Sequence, residues 1–218
     1  MKKKLNILCF IVMLVLSYSV LEAAYYMGIG FKSGVELGLS AKMNVQKKQE
    51  LMHLENINLL PRDLSRNFLT DSVYNAKTGK YIPASFGQMT VSVDTQPSIV
   101  LKGLSVLATM TDFITTLWAI ILFIRIVVSI NKSEIFSWKN VRRIRRLGVL
   151  LIVSFACTFL TAFLTVYNVE KVFSSMHYTL CLTDMVKITS LVLGLTALIV
   201  AEIFAIGLKM KEEQELTI

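Results

Sequence analysis

The chain has 218 residues, 54% of them hydrophobic and 17% charged, with a net charge of +8. Ordinary soluble domains carry about 25% charged residues, so this composition excludes a soluble globular protein. The positive charge concentrates beside apolar runs, which argues against a nucleic-acid surface.

Residues 1–27 open with Lys2, Lys3 and Lys4 and continue as an apolar run broken by Glu22. About twenty residues at a 1.5 Å rise cross a ~30 Å hydrocarbon core. A cleaved signal peptide is the rival reading. Cleavage after Ala23 or Ala24 would place Leu21 or Glu22 at the −3 position, where a small residue is needed, so an uncleaved first span is expected. The three lysines assign the N-terminus to the cytoplasm, because Lys and Arg are retained on that side.

Residues 28–103 form the one large segment outside the apolar runs, and alternation of sides makes it extracytoplasmic. Val35, Leu39, Met43, Leu51, Leu54 and Ile57 recur at near-helical spacing. Gly30, Gly34 and Gly38 could admit a close helix neighbour or simply loosen the exit from the membrane. Beyond Phe68, Asn75–Gly79 is turn-like, and Tyr81, Met89, Val91 and Val93 suit short strands. A small cap of helix plus β-hairpin is expected.

Residues 104–130 are the second span, with Asp112 in its outer half and Arg125 in its inner half. The loop 131–146 follows and carries Lys132, Lys139, Arg142, Arg143, Arg145 and Arg146 against Glu134 alone. A short basic loop between two membrane-length runs is a strong cytoplasmic signal. Ser137 suits an N-cap, and the helix from Trp138 should run straight into the third span, 147–169. An outer loop, 170–184, leads to the fourth span, 185–208, with Lys187 near its outer end and Glu202 in its inner half. The tail 209–218 returns to the cytoplasm. The fold class is thus an all-α membrane protein: a four-transmembrane-helix bundle, both termini cytoplasmic, with an extracytoplasmic cap between spans 1 and 2.

Ionisable groups at mid-bilayer cost about 2.5–3.5 kcal/mol each on insertion scales. Glu22, Asp112 and Lys187 fall in the outer halves of their helices and could form a polar cluster. Alternatively, Glu22 and Lys187 sit at the interface and only Asp112 is buried. Arg125 and Glu202 lie at matched depth, roughly 8–9 Å inside the apolar boundary, and are expected to pair as an intramembrane ion pair unless Arg125 snorkels. Phe136, Trp138, Arg142, Arg143, Arg145 and Arg146 form a candidate surface for anionic lipid headgroups or a cytosolic protein. Topology determination alone is the plain alternative. The loop is short and pressed against the bilayer, so direct nucleic-acid binding is not expected.

His177, Cys181 and Asp184 are too few and scattered to predict a metal site, and no cofactor is expected. Cys9 and Cys157 sit within apolar runs, so no disulfide framework is indicated. No H-E-x-x-H, G-x-S-x-G, Walker loop or strand-linked G-x-G-x-x-G occurs, and an enzyme is not expected.

EIFSWKNVRRIRRLG at 134–148 and LGLTALIVAEIFAIGLKMKEEQELTI at 193–218 carry a resemblance. With the order and length of the spans, they resemble domain of unknown function 2975, a bacterial family of small four-span membrane proteins. The segment 28–103 has no counterpart in that resemblance. Members are often encoded beside a small helix-turn-helix regulator, so the resemblance implies a sensory or regulatory role in the bacterial inner membrane. It brings no catalytic residues. A small transporter or channel using Asp112 and neighbouring charges is the alternative, and self-association is open.

Overall fold

A computed structural model of the protein describes residues 2–39, 53–63, 68–95, 97–132, 136–182, 185–186 and 188–216; at 2–5 and 37–39 it describes the backbone alone. The described helices are α1 Lys2–Leu39, α2 Ile99–Asn131, α3 Trp138–Glu170 and α4 Ile188–Glu215. The strands are β1 Leu54–Pro61, β2 Asp71–Asn75, β3 Lys80–Ala84, β4 Gln88–Ser92 and β5 Tyr178–Leu180. Two compact units result. A helical unit comprises Met1–Lys42, Thr111–Ala156 and Ile188–Ile218, and a sheet unit comprises Met43–Met110 and Cys157–Lys187.

All four helices are long and apolar enough to cross a membrane, over Asn6–Glu36, Ile99–Asn131, Trp138–Glu170 and Ile188–Glu215. Their apolar side chains point outward: Phe10, Leu21, Leu107, Ile199 and Ile203 are all exposed. A helix apolar all round belongs in a core or in lipid, and most of each apolar span here is left uncovered by the rest of the chain. The chain is therefore a multi-pass membrane protein with small β-sheets.

The helices overrun the spans read from the sequence. α1 continues past residue 27 to Leu39, and α4 passes residue 208 to Glu215, so most of the tail is helix. Ser137 caps α3 as expected, its Oγ accepting from the Asn140 amide at 3.3 Å.

The sheet unit corrects the expected cap in two ways. Leu54 and Ile57 belong to a strand, not to a helix, while Met43 and Leu51 lie outside the described residues. On β1 the buried residues are Ile57, Leu59 and Pro61, each two apart, which is strand periodicity. The loop 170–184 also contributes: β5 pairs antiparallel with the second half of β1, Leu59↔Leu180 to Pro61↔Tyr178, while β4 pairs with its first half. The strand order is β4-β1-β5, so the cap is not confined to the segment between spans 1 and 2.

Ile57, Leu59, Val169 and Tyr178 form the buried cluster, with Met89, Val91, Phe173 and Leu180 against it. The Tyr178 hydroxyl donates to Asp71 Oδ2 at 2.6 Å and accepts from Thr70 Oγ1 and the Phe86 amide. One phenol thus ties β5 to the entry of β2 and the exit of β3. The β2–β3 hairpin turns where expected, at Asn75–Gly79. The Asn75 side chain accepts from the Lys77 amide at 2.9 Å, and Gly79 takes φ +63°, the left-handed conformation glycine adopts without strain.

Candidate functional site

The basic loop does not stand free of the rest of the helical unit. α3 and α4 meet where Gly148 faces Gly194: a Cβ on Gly148 would lie 2.8 Å from the Gly194 carbonyl oxygen, and one on Gly194 would lie 2.9 Å from that of Gly148. Absence of side chains is what permits this approach. The Gly30 and Gly34 positions, read as possible contact points, have nothing near them.

From that crossing, contacts run along both helices toward the basic end. Arg145 Nη2 lies 2.7 Å from Glu202 Oε1, the Phe136 and Phe204 rings tilt together at 5.3 Å, and Trp138 Nε1 donates to Glu212 Oε1 at 2.6 Å. Residue numbers fall along α3 and its approach as they rise along α4, so the helices are antiparallel. Three of the six residues read as a docking surface are therefore fastened to α4. Of the others, Arg142 reaches back to the Trp138 carbonyl, Arg143 Nη1 donates to Asn140 Oδ1 at 3.0 Å, and Arg146 lines a shallow recess with Trp118, Val149 and Leu150.

This geometry corrects the expected Arg125–Glu202 pair. Glu202 is taken by Arg145, which sits on the helix that Gly148 and Gly194 bring into contact. Arg125, on α2, lines a different recess, with Ser129, Lys132 and Arg143. Depth along a helix axis says nothing about which neighbour shares that depth.

Polar contacts join α2 and α3 at two levels among the described residues. Near the basic end, Asn140, only 2% exposed, donates through Nδ2 to Ser129 Oγ at 2.9 Å. About four helical turns away along α3, the Ser154 hydroxyl donates to Asp112 Oδ1. This gives Asp112, half-buried, a partner that sequence reading missed. Glu22 is exposed on α1, and Lys187, the third member of the expected outer cluster, lies outside the described residues. Asn140 had one available signal: an uncharged amide within a run of cations at a helix start.

A cavity of about 630 Å³ opens among all four helices of the helical unit. Leu16, Phe123, Ile126, Leu150, Leu193 and Val200 give it an apolar wall, and the hydroxyl-bearing Thr115, Thr116, Ser154, Ser190 and Thr196 punctuate it. Such a lining suits an apolar molecule better than an ion.

In the sheet unit, His177 is exposed, Cys181 is half-buried and Asp184 lies outside the described residues. His53 Nδ1 lies 3.8 Å from Asp94 Oδ1, a neighbour not foreseen. Among the described residues no three His, Cys, Asp or Glu side chains converge as metal ligands.

No curated protein and no solved structure matches the chain. A family model does, over residues 69–218. That range takes in the hairpin, α2, α3, β5 and α4 with every contact described at the basic end, and leaves α1 and β1 outside it. It also reaches into the segment for which the sequence resemblance offered no counterpart. The chain belongs to this family, described as protein of unknown function (DUF2975).

Proposed function

We propose that the chain is a non-enzymatic protein of the bacterial cytoplasmic membrane, sensory or regulatory in role, that relays a signal to a cytosolic partner. Both termini and the basic loop are cytoplasmic in this reading, with the sheet unit outside. The supporting observation is the fastening of Trp138 to Glu212 and Phe136 to Phe204. The helical tail and the start of α3 form one joined surface beyond the apolar length of the helices. A displacement of either α3 or α4 then changes what the cytosol meets. Family resemblance makes a small helix-turn-helix regulator the partner to test.

The experiment uses detergent-solubilised full chain and, as the resemblance implies, a small helix-turn-helix regulator from its gene neighbourhood. The full chain should retain the regulator, and truncation of Glu212–Ile218 should abolish retention while membrane insertion is unchanged. A truncated chain that gives the same retention and the same transcriptional profile overturns the reading. Reporter fusions at Lys80, Lys139 and Ile218 check the sidedness: Lys80 should report outside and the other two inside.

A small transporter or channel is the second reading, and the 630 Å³ cavity near Asp112 favours it. Its apolar wall points to an apolar cargo. Uptake or release by the purified chain alone in vesicles, without any cytosolic protein, separates this reading from the first.

A further inference from the structure

We infer that the recess between α2 and α3 is a binding site for the phosphate of an anionic phospholipid. The inference does not depend on the relay reading. The recess has a volume of about 280 Å³ and is lined by Ile124, Arg125, Val128, Ser129, Lys132 and Arg143. Arg125, Val128, Ser129 and Lys132 are spaced i, i+3, i+4, i+7, so they form one stripe along α2. Arg143 enters from α3. Three of the six lining residues are cations, and no acid is among them.

The third cation is held in place. Asn140 donates to Ser129 across the two helices and accepts from Arg143 with its other amide atom. A buried amide thereby fixes both the α2–α3 spacing and the direction of the Arg143 guanidinium. Among the described residues the partner of that guanidinium is the neutral Asn140, and no acid lines the recess. Positive groups held at a fixed spacing favour an anion, and guanidinium groups favour the geometry of phosphate oxygens.

Position selects the source of the phosphate. Lys132 follows the last turn of α2, and Arg125 lies seven residues deeper, about 10 Å along the axis. A water-borne anion would have to descend past Lys132 into the apolar zone. A phospholipid already carries its phosphate at the boundary, and the apolar Ile124 and Val128 beside the recess leave its acyl chains in contact with hydrocarbon. The recess has room for a phosphate and its glycerol but not for a whole lipid. This gives Arg125 a partner at membrane depth that Glu202 does not supply.

The test is native mass spectrometry of the full chain in detergent with phosphatidylglycerol and phosphatidylcholine. The wild type should retain phosphatidylglycerol in preference to phosphatidylcholine. R125Q/K132Q should weaken that retention by about tenfold or more, given about 1 kcal/mol per well-placed basic residue. R142Q/R146Q removes the same charge from the outward face and should weaken it by less than about threefold at physiological salt. Equal losses in both variants would show a diffuse basic surface and overturn the site. Displacement of the lipid by glycerol phosphate at matched concentration would overturn the lipid assignment. A folding defect in R125Q/K132Q would not leave the question open. A phosphatidylglycerol with a photoreactive group near its glycerol should label the wild-type chain within 124–132, and labelling spread over all helices would overturn the proposal.

Discussion

The sheet unit and the helical unit solve opposite problems. In the sheet unit Ile57, Leu59, Val169 and Tyr178 are withdrawn from solvent and the strand edges face out. In the helical unit most large apolar side chains face out, and a smaller interior set, Leu122, Val127 and Val141 among it, is buried together with the Gly148–Gly194 contact and the Asn140–Ser129 pair. Water drives apolar groups together, whereas lipid tails are as apolar as leucine and supply no such force between helices. One truncation made in both places exposes the difference. Ile57→Ala removes a fully buried side chain and should destabilise the sheet unit by about 2–5 kcal/mol. Ile203→Ala removes a side chain that is 59% exposed on α4 and should cost less than about 0.5 kcal/mol in detergent. Thermal unfolding followed by hydrogen exchange in each unit checks both, and similar losses would mean that the outward side chains of α4 are packed and not open to detergent.

The second prediction inverts the substitution. Adding atoms at Gly148 should harm the helical unit, because the backbone oxygen of Gly194 lies only 2.8 Å from where a Cβ would be. Gly148→Leu should cost about 1–3 kcal/mol through displacement of α3 from α4. Gly30→Leu on α1 meets nothing within 4 Å and should be silent or slightly stabilising, since glycine is a poor helix former. Loss of Phe136–Phe204 proximity, read by a cross-link between cysteines placed there, should accompany the first and not the second.

What the sequence made legible follows the same divide. Four apolar runs, the Ser137 cap and the Asn75–Gly79 turn are set by local chemistry, and each appears where expected. The strand β5 was not legible. Tyr178–Leu180 is three residues long, and its extended form comes from pairing with β1, more than a hundred residues earlier. Leu54 and Ile57 were misread for a related reason: a spacing of three fits a helix, and the decisive residue, Leu59, is buried only once β5 arrives. At the membrane end, the charge and depth of Arg125 and Glu202 were readable. The partner of each depended on Gly148 and Gly194, two glycines whose significance appears only when their helices meet.

That correction can be measured. A double-mutant cycle on Arg145 and Glu202 should give a coupling of about 1 kcal/mol or less, as both side chains are more than half exposed. The same cycle on Arg125 and Glu202 should give none. Equal couplings would mean that the three groups share one network, and the assignment of Glu202 to α3 would fall.

The smallest expected effect lies in the sheet unit. Glu55 continues the inward stripe of Ile57 and Leu59 at the start of β1, opposite Val91. Desolvation there raises its pKa above the ordinary 4.5. Burial of a carboxyl favours its neutral form, so the folded sheet holds this proton more tightly than the unfolded chain does. The contribution of Glu55 to stability is then fully present below pH 4.5 and is lost as pH rises through the raised value. Glu55→Gln keeps the size and polarity and removes the titration. The advantage of the variant over the wild type should therefore be absent in acid and grow toward neutral pH. Comparing hydrogen exchange of the β1 amides in the two proteins at each pH isolates this group from the other carboxyls. The effect should be small, since Glu55 is only partly buried and water screens what remains. A difference that is flat with pH, or that grows toward acid, would show that the Glu55 carboxylate is stabilised in the fold and not penalised by it.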